Sequence, residues 1–121
     1  MSVLDASALL AFLQGEAGAD VVEGELSSQA RCSAVNWSEV AQKVTAAGGD
    51  WQVARALLLS YGLQVVDATA DDAEWAATRW RRGEGLSLAD RFCLALGARL
   101  GGTVWTADTA WASDGNISQI R

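Results

Sequence analysis

Histidine and proline are both missing from this 121-residue chain. Without histidine the chain lacks the usual general base, the usual activator of a nucleophile and the commonest zinc ligand. Any chemistry here has to run on carboxylates. Only two cysteines are present, Cys32 and Cys93, each isolated among small or apolar neighbours. That pattern excludes a disulfide framework or a zinc knuckle and predicts buried, reduced thiols. Basic residues are scarce, nine against fifteen acids for a net charge of −6, and Lys43 is the one lysine. So acidic a chain does not coat nucleic acid through a general excess of positive charge. No apolar run has membrane-spanning length, and Asp5 falls where a signal peptide would need a basic start and a long apolar core. The expectation is a cytoplasmic protein with no membrane contact.

Half of the residues are hydrophobic. A chain of this length fits one domain, residues 1–121, that buries roughly two-thirds of its unfolded surface. The most informative stretch runs from Ser87 to Asp108. Ser87 is a good helix N-cap; Leu88, Phe92, Ala95, Leu96 and Leu100 recur at helical spacing, and Gly101-Gly102 stops the helix. Thr103-Val104-Trp105-Thr106 then reads as a short buried strand, with Asp108 just past its C-terminal end. Open α/β sheets build their sites at that end.

Earlier in the chain, Ser2-Val3-Leu4 reads as a strand running directly into a helix that ends near Gly15. Asp5 therefore lies at a strand exit, where it is a candidate ligand or simply a helix cap. Residues 19–26 read as a short surface helix. Ala34 onward opens a second main helix, with Asn36 as its cap and Glu39 three residues later, a capping-box spacing that competes with a ligand role for Glu39. Ser87 and Asp90 imitate the same box. Trp51 to Tyr61 is a further helix, Leu63 to Val66 a strand, and Ala70 to Arg82 a helix. Asp71, Asp72 and Glu74 occupy the first turn of that last helix, and Arg79, Arg81 and Arg82 its final turn, an order that suits the helix dipole. The acidic trio is read as a solvated N-terminus, since adjacent helical residues point different ways. The arginines either complement the helix end or grip phosphates. Ala110-Trp111-Ala112 reads as a turn or short helix and Ile117 to Ile120 as an edge strand. Of the six tryptophans, five are assigned to packing; Trp111, just past Asp108, is the one placed within reach of a ligand.

Alternating strands and helices predict an α/β domain with a mostly parallel sheet covered on both faces. Asp5, Glu39, Asp90 and Asp108 then reach one rim. Two bare carboxylates about 5 Å apart repel by roughly 3 kcal/mol at an effective dielectric near 20, so a cation has to offset them. Neither lysine nor histidine accompanies these acids in sequence, and Arg91 should project away from Asp90. Oxygen-only donor sets suit Mg²⁺ or Mn²⁺. Such an ion binds a phosphodiester oxygen and acidifies water, which makes an acidic protein compatible with a nucleic-acid substrate.

Four segments in order, Asp5-Ala-Ser-Ala, Ser33-Ala-Val-Asn-Trp-Ser-Glu39, Ser87-Leu-Ala-Asp90 and Thr106-Ala-Asp108-x-x-Trp111, together resemble the PIN-domain ribonucleases. The resemblance is specifically to the VapC-type toxins of bacterial toxin–antitoxin pairs. The resemblance spans nearly the whole chain. It implies a three-layer α/β/α PIN fold and Mg²⁺- or Mn²⁺-dependent cleavage of structured RNA, of the tRNA or rRNA class. By the same resemblance Asp5 and Asp90 are the principal metal ligands, Glu39 and Asp108 complete the acidic set, and Ser7 and Thr106 are supporting or substrate-positioning hydroxyls. It further implies a VapB-type antitoxin partner and a homodimer. Of the rival readings, a receiver domain would need a lysine at a late strand end, and a haloacid-dehalogenase-type phosphatase would need a second Asp or a Thr where Ser7 stands. A catalytically silent PIN-fold binding module is the alternative from another class.

Overall fold

The structure is a computed structural model that describes residues 1–111 and 115–121. Among these, five strands form one sheet: β1 (Ser2–Leu4), β2 (Ala30–Ser33), β3 (Gln64–Val66), β4 (Thr103–Thr106) and β5 (Ile117–Gln119). Their order is β3-β2-β1-β4-β5, and every pairing is parallel. The helices are α1 (Ala6–Gln14), α2 (Ala19–Leu26), α3 (Ala34–Ala46), α4 (Trp51–Ser60), α5 (Ala70–Thr78) and α6 (Leu88–Leu100). None of them is long and apolar enough to cross a membrane.

Because strand side chains alternate in direction, neighbours in β1 feed different cores. Leu4 joins Leu9, Val22, Leu26, Val40 and Leu58 beneath α1 to α4. Val3 joins Cys93, Leu94, Leu96 and Val104, with Trp75 of α5 against them. Burying each such side chain contributes about 1.5–3 kcal/mol, so the two clusters hold helices on both faces of the sheet. At Gly97 a Cβ would run into the Val104 side chain, so glycine is what lets α6 lie this close to β4. Both cysteines are free and buried, as their surroundings in sequence implied.

Several local expectations are corrected. Residues 30–33 form a strand, which the short Ala-Arg-Cys-Ser sequence does not announce. Helix α3 begins earlier than its apparent cap, because Ser33 is the N-cap and accepts from Val35 N–H at 3.2 Å. Asn36 lies inside the helix. Helix α2 is not merely superficial, since Val22 and Leu26 are fully buried. Helix α5 stops at Thr78, and the arginines meant for its last turn lie in the loop that follows. Trp111 is a core residue, 3% exposed, whereas Trp80 is 53% exposed. Ala112, read as part of a turn or short helix, lies outside the described residues.

Candidate active site

The sheet order reverses at β1, which has β2 on one side and β4 on the other. Helices leaving the two strands diverge there, which opens a crevice at their C-terminal ends. Asp5 lies at that point. It is the N-cap of α1, where its Oδ1 accepts Ala8 N–H at 2.7 Å, and its main-chain N–H donates to Trp105 on the neighbouring strand. Thr106, the last residue of β4, donates its hydroxyl to Asp5 Oδ2 at 2.6 Å. Ser7 donates to the same carboxylate, its Oγ lying 2.8 Å from Oδ1 and 2.9 Å from Oδ2.

Each of those hydroxyls also accepts from the main chain. Ser7 Oγ accepts Ala107 N–H at 2.9 Å, and Thr106 Oγ1 accepts Asp108 N–H at 3.0 Å. Both side chains are therefore committed to orienting Asp5 and the β4 exit. Asp5 is 3% exposed and Thr106 0%. Burial pushes the Asp5 carboxyl up from 3.8 to about 6, although the bonds from Thr106, Ala8 and Ser7 oppose the rise; the charge of Asp90 adds to it. A buried carboxylate with three donors and no basic side chain bonded to it is an anion in want of a cation.

Asp90 approaches from α6. Its Oδ2 accepts Ser87 N–H at 2.9 Å while Ser87 Oγ accepts Asp90 N–H at 3.0 Å, so the capping box read from the sequence is real. The charge of Asp90 still acts on Asp5 across the gap between α6 and β1. Glu39 comes from the second turn of α3. Asn36 donates through Nδ2 to Glu39 Oε1 at 2.9 Å and to the Ala89 carbonyl at 3.1 Å. A side chain read as a helix cap is thus a buried clamp, 1% exposed, that ties Glu39 to the first turn of α6 beside Asp90. Only its spacing from Glu39, one helical turn, hinted at this. Its Oδ1 is buried with no hydrogen-bond partner.

Asp5, Asp90 and Glu39 all bear on the buried Cys93. The Cys93 thiol is held well above its ordinary 9.0, first by burial and then by the negative charge of Asp5, Cys32, Asp90 and Glu39. Asp108 is exposed; its Oδ1 accepts Ala110 N–H at 2.9 Å, closing the turn after β4, and it lines a cleft of about 390 Å³ with Ser7, Gln14, Lys43 and Arg121. Helix α3 carries Lys43, the one lysine, to this cleft. Asp72, from the acidic trio, is far from solvation: it completes the cap of α5 with Thr69 and takes a fork from Arg99 at 3.0 Å.

Among the described residues no three acids or thiols are drawn tightly enough to form a ready metal cluster. The donors nonetheless suit a hard divalent cation in kind. They are carboxylate oxygens around a buried anion, with the partnerless Asn36 amide oxygen alongside.

An all-parallel 3-2-1-4-5 sheet with the buried Asp5 at the β1/β4 crevice defines the class of α/β domains that hold their site where the strand order reverses. Within that class the chain belongs to the PIN-domain family, whose description matches residues 2–113. No curated protein matches it. Among solved structures, a toxin–antitoxin complex from Klebsiella pneumoniae superposes with a TM-score of 0.79 at 19% identity, covering 100% of this chain and 98% of that one. VapC20 of Mycobacterium tuberculosis, described as a sarcin-ricin loop cleaving toxin, superposes with a TM-score of 0.72 at 21% identity over 90% of this chain and 91% of the other. At these identities the likeness is one of fold.

Proposed function

We propose that this chain is a metal-dependent endoribonuclease acting as the toxin of a toxin–antitoxin pair. The observation that carries the reading is Asp5, a buried carboxylate at the β1/β4 crevice, oriented by three donors, repelled by Asp90 and left without a basic partner in its hydrogen bonds. A structural N-cap needs one acceptor for a main-chain N–H and gains nothing from burial beside a second acid. The cost of such a charge is explained if a divalent cation is the missing partner. Asp5, Asp90 and Glu39 would hold Mg²⁺ or Mn²⁺, and Asp108 lies at the edge of the set. When bound, the ion supplies positive charge to a phosphodiester oxygen and lowers the pKa of water.

The chain's own residues do the rest. Thr106, Ser7 and the Ala8 N–H fix the Asp5 carboxylate, Asn36 fixes Glu39, and the capping box fixes Asp90. Lys43 and Arg121 bring positive charge to the neighbouring cleft, where phosphates of an RNA chain are accommodated despite the acidic balance. Membership of the PIN-domain family and the fold shared with VapC20 and the toxin–antitoxin complex support the nuclease toxin and its antitoxin partner, and the proposal extends to a homodimer acting in the cytoplasm.

Purified protein incubated with total RNA is expected to cut it with Mg²⁺ or Mn²⁺ and to stop when chelator is added. Asp5→Asn and Asp90→Asn should each lose cleavage while keeping the parent's circular dichroism. Folded parent protein that leaves RNA intact with either metal, yet still captures the antitoxin, would instead establish a silent binding module.

A further inference from the structure

The chain is acidic, yet four of its nine basic residues, Arg79, Arg81, Arg82 and Arg91, fall within thirteen positions. Only two acids, Glu84 and Asp90, share that segment. The loop between α5 and α6 is a built structure. Gly83 and Gly85 adopt φ values of 78° and 83°, which side-chain-bearing residues rarely take, and they turn the chain back so that Glu84 meets Arg79. That pair is a fork, with Nη1 and Nη2 donating at 2.6 and 2.9 Å. Arg91 anchors the other side by donating to the Ala76 carbonyl at 2.7 Å.

What the loop displays is unusual for a surface turn. Trp80 is the most exposed tryptophan described, at 53%, and the Arg82 guanidinium stands over its ring at 5.7 Å from the centroid. Leaving an indole in water forfeits a large part of its burial free energy, so in a chain that buries Trp111 the position is not explained by packing. Arg81 lies on the same turn and lines, with Trp75, Glu84 and Asn116, a cleft of about 440 Å³ beneath it. The loop leads directly into Ser87 and the capping box that holds Asp90 at the crevice. An aromatic face under one guanidinium, with a second arginine next in the chain, is the surface that single-stranded nucleic acid recognises, bases by stacking and phosphates by charge.

We propose that the loop of residues 79–87 is an RNA-gripping element, in which Trp80 stacks on an unpaired base and Arg81 and Arg82 hold the adjoining phosphates, delivering the strand to Asp90. The proposal deepens the ribonuclease reading and rests on it for its substrate. Charge complementarity selects the partner: the patch is cationic on an otherwise acidic molecule, and a polyanion with exposed π-faces fits it where an apolar peptide does not.

The test is fluorescence anisotropy of a labelled single-stranded RNA and of a base-paired RNA of equal length, in chelator so that nothing is cut. Trp80→Ala is expected to weaken the single strand about five- to a hundredfold and the duplex far less, with Trp80→Phe recovering most of the loss. Arg81→Gln and Arg82→Gln should each reduce the slope of log affinity against log salt by about 0.7. If Trp80→Ala proves misfolded by circular dichroism, the Trp80→Phe and arginine variants carry the decision. Parent affinity and parent salt slope in all folded variants, while Asp5→Asn still abolishes cleavage, would overturn the loop's role and leave the ribonuclease reading standing. Reduced affinity in the loop variants together with full cleavage by Asp5→Asn would support the loop and sink the catalytic assignment. A change in sedimentation mass on Trp80→Ala at unchanged RNA affinity would make the loop an interface between copies and overturn the proposal.

Discussion

Thr106 and Asp5 stand at the ends of adjacent parallel strands, 101 residues apart in sequence, and the threonine hydroxyl donates to the carboxylate at 2.6 Å. With the Ser7 and Ala8 donors it fixes the acid's orientation without neutralising its charge. Orientation and charge are therefore separable by mutation.

The first prediction concerns pH. Asp5 ionises at about 6 in the folded chain against an ordinary 3.8, so folding opposes its charge. The favourable side of this balance is fully present below about pH 4 and is lost as pH rises through 6, where it reaches a penalty of about 3 kcal/mol. Asp5→Asn should therefore melt higher than the parent above pH 6 in chelator, and the gap should shrink toward pH 4. Melts at both pH values check this. A variant less stable than the parent at neutral pH would mean that the carboxylate's hydrogen bonds outweigh its burial.

Asn36 and Glu39 form the second. Glu39→Gln can keep the Asn36 contact through its amide oxygen and should alter stability by less than about 0.5 kcal/mol, yet lower cleavage at least about tenfold. Asn36→Leu leaves the Ala89 carbonyl without its donor and should cost about 1–3 kcal/mol. It should also lower kcat more than it raises KM, because Glu39 loses its clamp. Urea melts and initial rates on an RNA oligonucleotide separate the two effects.

Asp108 is tested by its response to metal. Its carboxylate closes a surface turn, a job asparagine also does, so Asp108→Asn should match the parent without metal to within about 0.5 kcal/mol. In the parent, metal at a hundred times its dissociation constant should add about 2.7 kcal/mol. A smaller gain in Asp108→Asn, with reduced cleavage, would keep it in the acidic set. An identical gain would remove it.

Asp72 supplies the contrast. Hydrogen bonds from Arg99, opposed by desolvation and aided by the Thr69 N–H, hold its carboxyl below the usual range. That contribution is present above the ordinary carboxylate pKa and is lost as pH falls through the depressed value. Asp72→Asn should cost about 1 kcal/mol at neutral pH and cut RNA at the parent rate.

The helices and most strands were legible in the sequence because their signals are local. Ser87 and Asp90 cap α6 and Gly101 stops it, each through contacts within about one helical turn. The order of Asp5, Glu39, Asp90 and Asp108 along the chain, with the strands before the first and last, was enough to indicate the PIN-domain family. Strand β2 escaped notice because a four-residue strand such as Ala-Arg-Cys-Ser has little periodicity of its own and is stabilised by β1 and β3 on its two sides.

Tertiary structure alone decided which partners these side chains take. Whether Asn36 caps α3 or clamps Glu39 depends on the Ala89 carbonyl, 53 residues away, and the burial of Asp5 depends on Thr106, 101 residues away. Trp80 and Trp111 illustrate the same limit. Both are tryptophans near a candidate site, and only the packing of α6 against β4 and the glycine-bounded loop after α5 put one in the core and the other in water. Residue type and spacing determine which groups the chain possesses and where its elements begin. Burial, which sets the charge state of Asp5 and the exposure of Trp80, is a property of contacts between segments remote in sequence, and the chain acquires it only on folding.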